Sequence, residues 1–145
     1  MIRPVPLGVQ DMHIKGRFQG FTSSWGKDKH EMVWLGNLQP TIESPVYKIR
    51  IRYRLGGIPK IRILSPTLKP KPPHTYSDGS LCLYTPGEGS WREDKLLADT
   101  ILPWAAIWLY YYELWVDTDK WQGPETPHGP SPIDIKREEK SKGRY

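Results

Sequence analysis

The chain has 145 residues, 37% of them hydrophobic, a net charge of +5 and a single cysteine. That length holds one domain with a core of its own and would crowd two. One thiol excludes an internal disulfide, and one Cys with scattered His lacks the ligand spacings of a zinc site, so neither a metal nor a cofactor is expected. The N-terminal run Met1 to Pro6 has no apolar h-region of a secretory signal. With one cysteine, this places the expected site of action in the reducing cytoplasm. The most apolar stretch, Ile101 to Val116, is broken by Glu113 and falls short of the ~20 apolar residues that span a bilayer.

In chain order, residues 1–11 read as an irregular lead-in, because Pro4 and Pro6 oppose a helix. Met12 to Phe21 reads as a weak first strand, and the polar run Ser23 to Glu31 as a turn. Met32 to Gln39 is a strand closed by Pro40. The clearest pattern follows. Tyr47, Ile49, Ile51 and Tyr53 alternate with Lys48, Arg50, Arg52 and Arg54, the period of a strand with one buried and one solvated face. Gly56-Gly57 signals a hairpin, and Lys60-Ile61-Arg62-Ile63 returns with the same alternation. The expected product is an antiparallel meander of three or four strands whose outer face carries six basic side chains.

Ser65 to Pro73 is too rich in Pro and Lys for regular structure and leads into His74 to Cys82. Ser90, with Glu93 three residues later, has capping-box spacing for a short helix through Thr100. Pro103 fits the first turn of a second helix running to about Val116, on which Trp104, Trp108, Tyr111 or Tyr112, and Trp115 form a stripe best read as core. Gln122 to Pro132 is rich in Gly and Pro, and residues 131–145 form a charged tail. The domain proper spans 12–130. With strands first and helices last, the class is α+β.

Cys82 admits two readings, a small buried hydrophobe or a nucleophile. Its polar and Gly-rich neighbours favour a thiol at the surface end of a short extended stretch. Leu81 and Leu83 would hold that stretch to the core while Cys82 points away. His74, Lys69 and Lys71 are the nearby groups able to raise its thiolate fraction. His128, in a Gly/Pro loop beyond the last helix, is placed to fold back toward the site; His13 and His30 have no supporting context. On the basic strand face no aromatics interleave with the cations, because Tyr47 and Tyr53 point the other way. That favours protein docking or plain solvation over nucleic acid.

The run Pro73-His74-Thr75-Tyr76-Ser77-Asp78-Gly79-Ser80-Leu81-Cys82-Leu83 resembles the active-site stretch of ubiquitin-conjugating enzymes. Pro73, Tyr76 and Gly79 fall on that family's proline, tyrosine and glycine, and Leu81 and Leu83 on the aliphatic residues flanking its cysteine. Trp91 and the late helices match its order of elements. His74 stands where the family has asparagine, Pro72 where it has histidine, and the usual first helix reads as missing or vestigial. The pattern Leu81-Cys82-Leu83-Tyr84, Pro86-Gly87, Ala98-Asp99-Thr100-Ile101, Pro103-Trp104, Trp108 to Trp115, Trp121-Gln122-Gly123 and His128 is similar to the bacterial branch found in short type II CBASS anti-phage operons.

That resemblance implies a ubiquitin-conjugating-enzyme-like fold with Cys82 as acyl-carrying nucleophile and His74 assisting. Tyr76 and Asp78 would shape the loop, with Asp78 a candidate base for an incoming amine. It also implies a cGAS/DncV-like nucleotidyltransferase as partner, joined through its C-terminus to Cys82 or passed to a target amine. The alternative is a non-catalytic module of the same fold that docks a protein partner. A Cys-His peptidase and a nucleic-acid binder are further readings.

Overall fold

The computed structural model describes residues 3–84 and 91–124. A helix α1 (Leu7–Arg17) precedes four strands, β1 (Thr22–Trp25), β2 (Glu31–Leu38), β3 (Tyr47–Arg54) and β4 (Lys60–Ser65); a long helix α2 (Ile101–Thr118) follows. The strands form one antiparallel sheet in the order β1-β2-β3-β4. This meander and the helix that follows it are the architecture of a ubiquitin-conjugating-enzyme-like α+β fold.

Register in the sheet follows from the two-residue period. Trp34 lies opposite Ile51 and Met32 opposite Tyr53, and the inward residues Trp34, Ile49, Ile51 and Tyr53 are fully buried. Both helices cover this inner face. The Trp34 indole donates to Asp11 on α1 at 2.9 Å, and the Tyr47 hydroxyl donates to Glu113 on α2 at 2.7 Å. Gly36 on β2 is required by packing, since a Cβ there would run into the Phe21 ring.

The N-terminal expectation is overturned. Residues 7–17 form a helix where the sequence reads as irregular and then extended. Pro6 occupies the N-cap, where its fixed φ and missing N–H cost nothing. Leu7, Gln10 and Ile14 form the buried face. Gln10 is the unexpected member: its side-chain amide donates to the Lys95 carbonyl at 2.9 Å and accepts the Leu97 N–H at 2.8 Å. A polar residue thus joins α1 to the turn before α2, and its paired hydrogen bonds make its burial tolerable.

The short helix expected through Thr100 is a series of turns instead, with Asp99 N–H bonded to Leu96 and Thr100 N–H to Leu97. Pro103 does sit in the first turn of α2, where its missing donor is not needed. The buried stripe of α2 is Ile101, Leu102, Ala105, Trp108, Leu109 and Tyr112. Trp104 and Trp115 are only partly buried against it. Ser90, His128 and the charged tail lie outside the described residues.

Candidate functional site

After β4 the chain passes through Pro-rich coil and then folds into a small hairpin around Cys82. The Cys82 N–H donates to the His74 carbonyl and the Tyr76 N–H to the Ser80 carbonyl, both at 2.8 Å, and Thr75 bridges to Leu81. This register sets His74 opposite Cys82 and Tyr76 opposite Ser80, so His74, Tyr76 and Cys82 share a face of the hairpin while Leu81 takes the other. The Leu81 N–H donates to the Ile61 carbonyl at 2.9 Å, which docks the hairpin on the edge of β4.

The turn depends on Gly79, at φ +90°, a conformation that side-chain-bearing residues rarely adopt. Its N–H closes the turn onto the Tyr76 carbonyl at 2.9 Å. His74 holds a left-handed backbone as well, at φ +58°. An ordinary residue in that region is strained, and such strain collects at functional sites.

The thiol departs from the surface position expected for it. Cys82 is fully buried, as are Leu81 and Leu83 on either side. The Tyr76 phenol lies within electrostatic reach of its sulfur, and the thiol itself makes a long contact to the Tyr84 carbonyl at 3.9 Å. Burial, then the neighbouring Cys82 sulfur, holds the Tyr76 phenol well above its ordinary range, so it stays protonated. Tyr84 is shifted in the same direction, by burial first and Cys82 second.

His74 is buried too, with its ring 5.0 Å from the Trp121 ring. Trp121 is held in turn by Trp108 at 5.9 Å and Tyr111 at 6.1 Å. The chain beyond α2 therefore folds back over the imidazole. Tyr84 and Trp121 stand in the run that carries the family resemblance, but no local pattern marks them as neighbours of the thiol and the imidazole.

Asp78 does not join this cluster. It sits at the exposed tip of the hairpin. Its carboxylate accepts from the Ser80 hydroxyl at 2.6 Å, the Ser80 N–H at 2.9 Å and Lys60 at 3.1 Å, and its carbonyl accepts from Arg62. The Ser80 hydrogen bonds, with Lys60 adding to them, hold the carboxyl well below the usual range. Among the described residues, no group of His, Cys, Asp and Glu is arranged to hold a metal ion. No helix among them is long and apolar enough to cross a membrane.

This hairpin, closed on a cysteine at the edge of a four-stranded meander, is matched at the level of sequence family. The model of the Type II CBASS E2 protein family aligns with residues 10–129. The chain belongs to the Type II CBASS E2 family. Membership gives it a conjugating-enzyme-like role with transferase potential, and it implies interaction with a CBASS signalling enzyme. No curated protein sequence matches the chain. The Type II CBASS E2 match includes α2 and all four strands. It also takes in the larger part of α1, an 11-residue helix where the sequence alone reads the first helix as missing or vestigial.

Proposed function

We propose that this Type II CBASS E2 protein is a cytoplasmic cysteine acyltransferase. Its acyl group would come from the C-terminus of a cGAS/DncV-like nucleotidyltransferase. The Cys82 thiol gives up its proton and its sulfur attacks the C-terminal carbonyl carbon of a donor bearing a leaving group; a C–S bond forms, and the leaving group departs with its electron pair and takes up a proton. An amine then attacks the same carbon, a C–N bond forms, and the thiolate leaves while the amine gives up a proton.

The observation that carries this reading is the hairpin register. It brings His74 and Tyr76 to the same side as Cys82, through the 2.8 Å bond between the Cys82 N–H and the His74 carbonyl. An imidazole N–H from His74 can stabilise the oxyanion or move a proton, standing in for the asparagine of the resembled enzymes. Tyr76, protonated and beside the sulfur, would be a neutral donor to it. Asp78 fits the role of turn former: a carboxylate so well stabilised is a weak base.

The full burial of Cys82 favours a second reading, a docking module in which the thiol is only packing. Second-messenger synthesis by the nucleotidyltransferase, measured with the wild-type chain and with Cys82→Ala, separates the two. The acyltransferase reading predicts that the stimulation disappears with Cys82→Ala. Undiminished stimulation would leave only the docking module.

A further inference from the structure

The outer face of the sheet, away from both helices, concentrates positive charge in an arrangement that internal pairing relieves only in part. The β3–β4 register places Arg50 directly opposite Arg62 and Arg52 directly opposite Lys60. Like charges at directly opposed positions weaken an antiparallel pair. Three carboxylates reach this face among the described residues. Asp28 meets Arg54 at 3.0 Å, Glu31 meets Arg52 at 3.5 Å and Asp78 meets Lys60 at 3.1 Å. Lys48 and Arg50 have no acidic partner among the described residues.

Aliphatic side chains run beside these cations. Leu35 lies opposite Arg50 and Val33 opposite Arg52 across β2–β3, and Leu35 and Leu64 are 36% and 40% exposed. A cleft of about 360 Å³ opens at one end of the face, lined by Lys27, Glu31, Arg52, Arg54, Ile58 and Lys60.

We propose that this face docks an acidic protein segment with interspersed aliphatic residues. Its carboxylates would pair with Lys48, Arg50 and the opposed Arg52 and Lys60, and its apolar side chains would cover Val33 and Leu35. Guanidinium groups match carboxylates in bidentate geometry, and arginine beside apolar surface is characteristic of protein interfaces. Single-stranded nucleic acid asks instead for aromatic faces among the cations. The tyrosines of β3, Tyr47 and Tyr53, are buried on the opposite side. The proposal is independent of the chemistry at Cys82.

Fluorescence anisotropy with a labelled peptide of Glu-Glu-Leu repeats tests it. The intact chain should bind the peptide, more weakly as salt rises. Lys48→Glu with Arg50→Glu should weaken binding by at least about tenfold, a loss of about 1.4 kcal/mol. The charge-matched pair Arg3→Glu and Lys120→Glu, away from this face, should change it less than about twofold. Arg50→Glu puts opposite charges across from each other at Arg62, so its melting temperature should hold or rise. The neutral pair Lys48→Gln and Arg50→Gln should weaken binding in the same direction. Equal losses from both Glu pairs would reduce the effect to net charge and overturn the proposal. Tighter binding of an oligothymidine than of the peptide would overturn it in favour of nucleic acid.

Discussion

The carbonyl of His74 accepts the N–H of Cys82 at 2.8 Å, so the two residues face each other across a hairpin of seven intervening residues. Spacing in the chain becomes proximity in space because Gly79 turns the backbone and Leu81 anchors it to β4. The arrangement is built from backbone bonds, so it survives changes in the side chains themselves. Function then rests on what those side chains are.

Gly79→Ala tests the turn. An Ala held in the left-handed region costs about 1–2 kcal/mol, and its Cβ would lie 3.2 Å from the Arg62 guanidinium, a mobile group able to shift. Denaturant unfolding should therefore show a loss of about that size, with backbone strain as the larger part. Unchanged stability would mean that the turn tolerates another backbone conformation.

Tyr76→Phe keeps the ring and removes a protonated hydroxyl near the sulfur, the proposed hydrogen-bond donor to it. One hydrogen bond contributes about 0.5–1.5 kcal/mol, and a thiolate deprived of it is less populated. Alkylation of Cys82 by iodoacetamide at neutral pH should slow by roughly threefold to tenfold. Equal or faster alkylation would remove Tyr76 from any role at the thiol.

Asp78 makes stability depend on pH. Its folded carboxyl titrates below the unfolded one, for which the usual value is about 3.9. The stabilisation is therefore complete above that value and is lost as pH falls through the folded one. The side chain is 39% exposed, so solvent screens the Lys60 contribution and the Ser80 hydrogen bonds carry more of the effect. The stability gap between wild type and Asp78→Asn should be largest near neutrality and close as pH drops below about 4. A gap independent of pH would contradict this.

Gln10→Leu probes the helix that sequence reading missed. The substitution leaves the Leu97 N–H and the Lys95 carbonyl without their amide partner, and an unmet buried polar group costs about 1–3 kcal/mol. Equilibrium unfolding should show a loss in that range. A neutral result would mean that α1 docks by Leu7 and Ile14 alone.

The sheet was legible because its signal is local. From Tyr47 to Arg54 one face is apolar and the other basic, and burial of the first sets register without outside help. α1 was illegible for the opposite reason. Gly8 and Gly16 weaken its propensity, its buried face includes the polar Gln10, and the partners of Gln10 are 85 and 87 residues away. Cys82 and His74 stand close in the chain and the family resemblance adds Tyr76, and one short hairpin holds all three. The burial of Cys82 could not be read that way. It follows from closure of the hairpin on β4 and from cover by Tyr76 and Tyr84, and the imidazole opposite is roofed by Trp121 from beyond α2. Asp78 falls in the same loop by its position in the chain, and only its contacts with Ser80 and Lys60 separate it from the cluster at the thiol.

The central claim is that Cys82 carries an acyl group. Intact-mass analysis of the chain incubated with its nucleotidyltransferase and an activated C-terminus, under non-reducing conditions, tests it most directly. The account predicts a covalent adduct between the two chains that a thiol reductant releases and that Cys82→Ala abolishes. An adduct that persists in Cys82→Ala, or a Cys82→Ser chain that keeps all activity with no adduct, would contradict it.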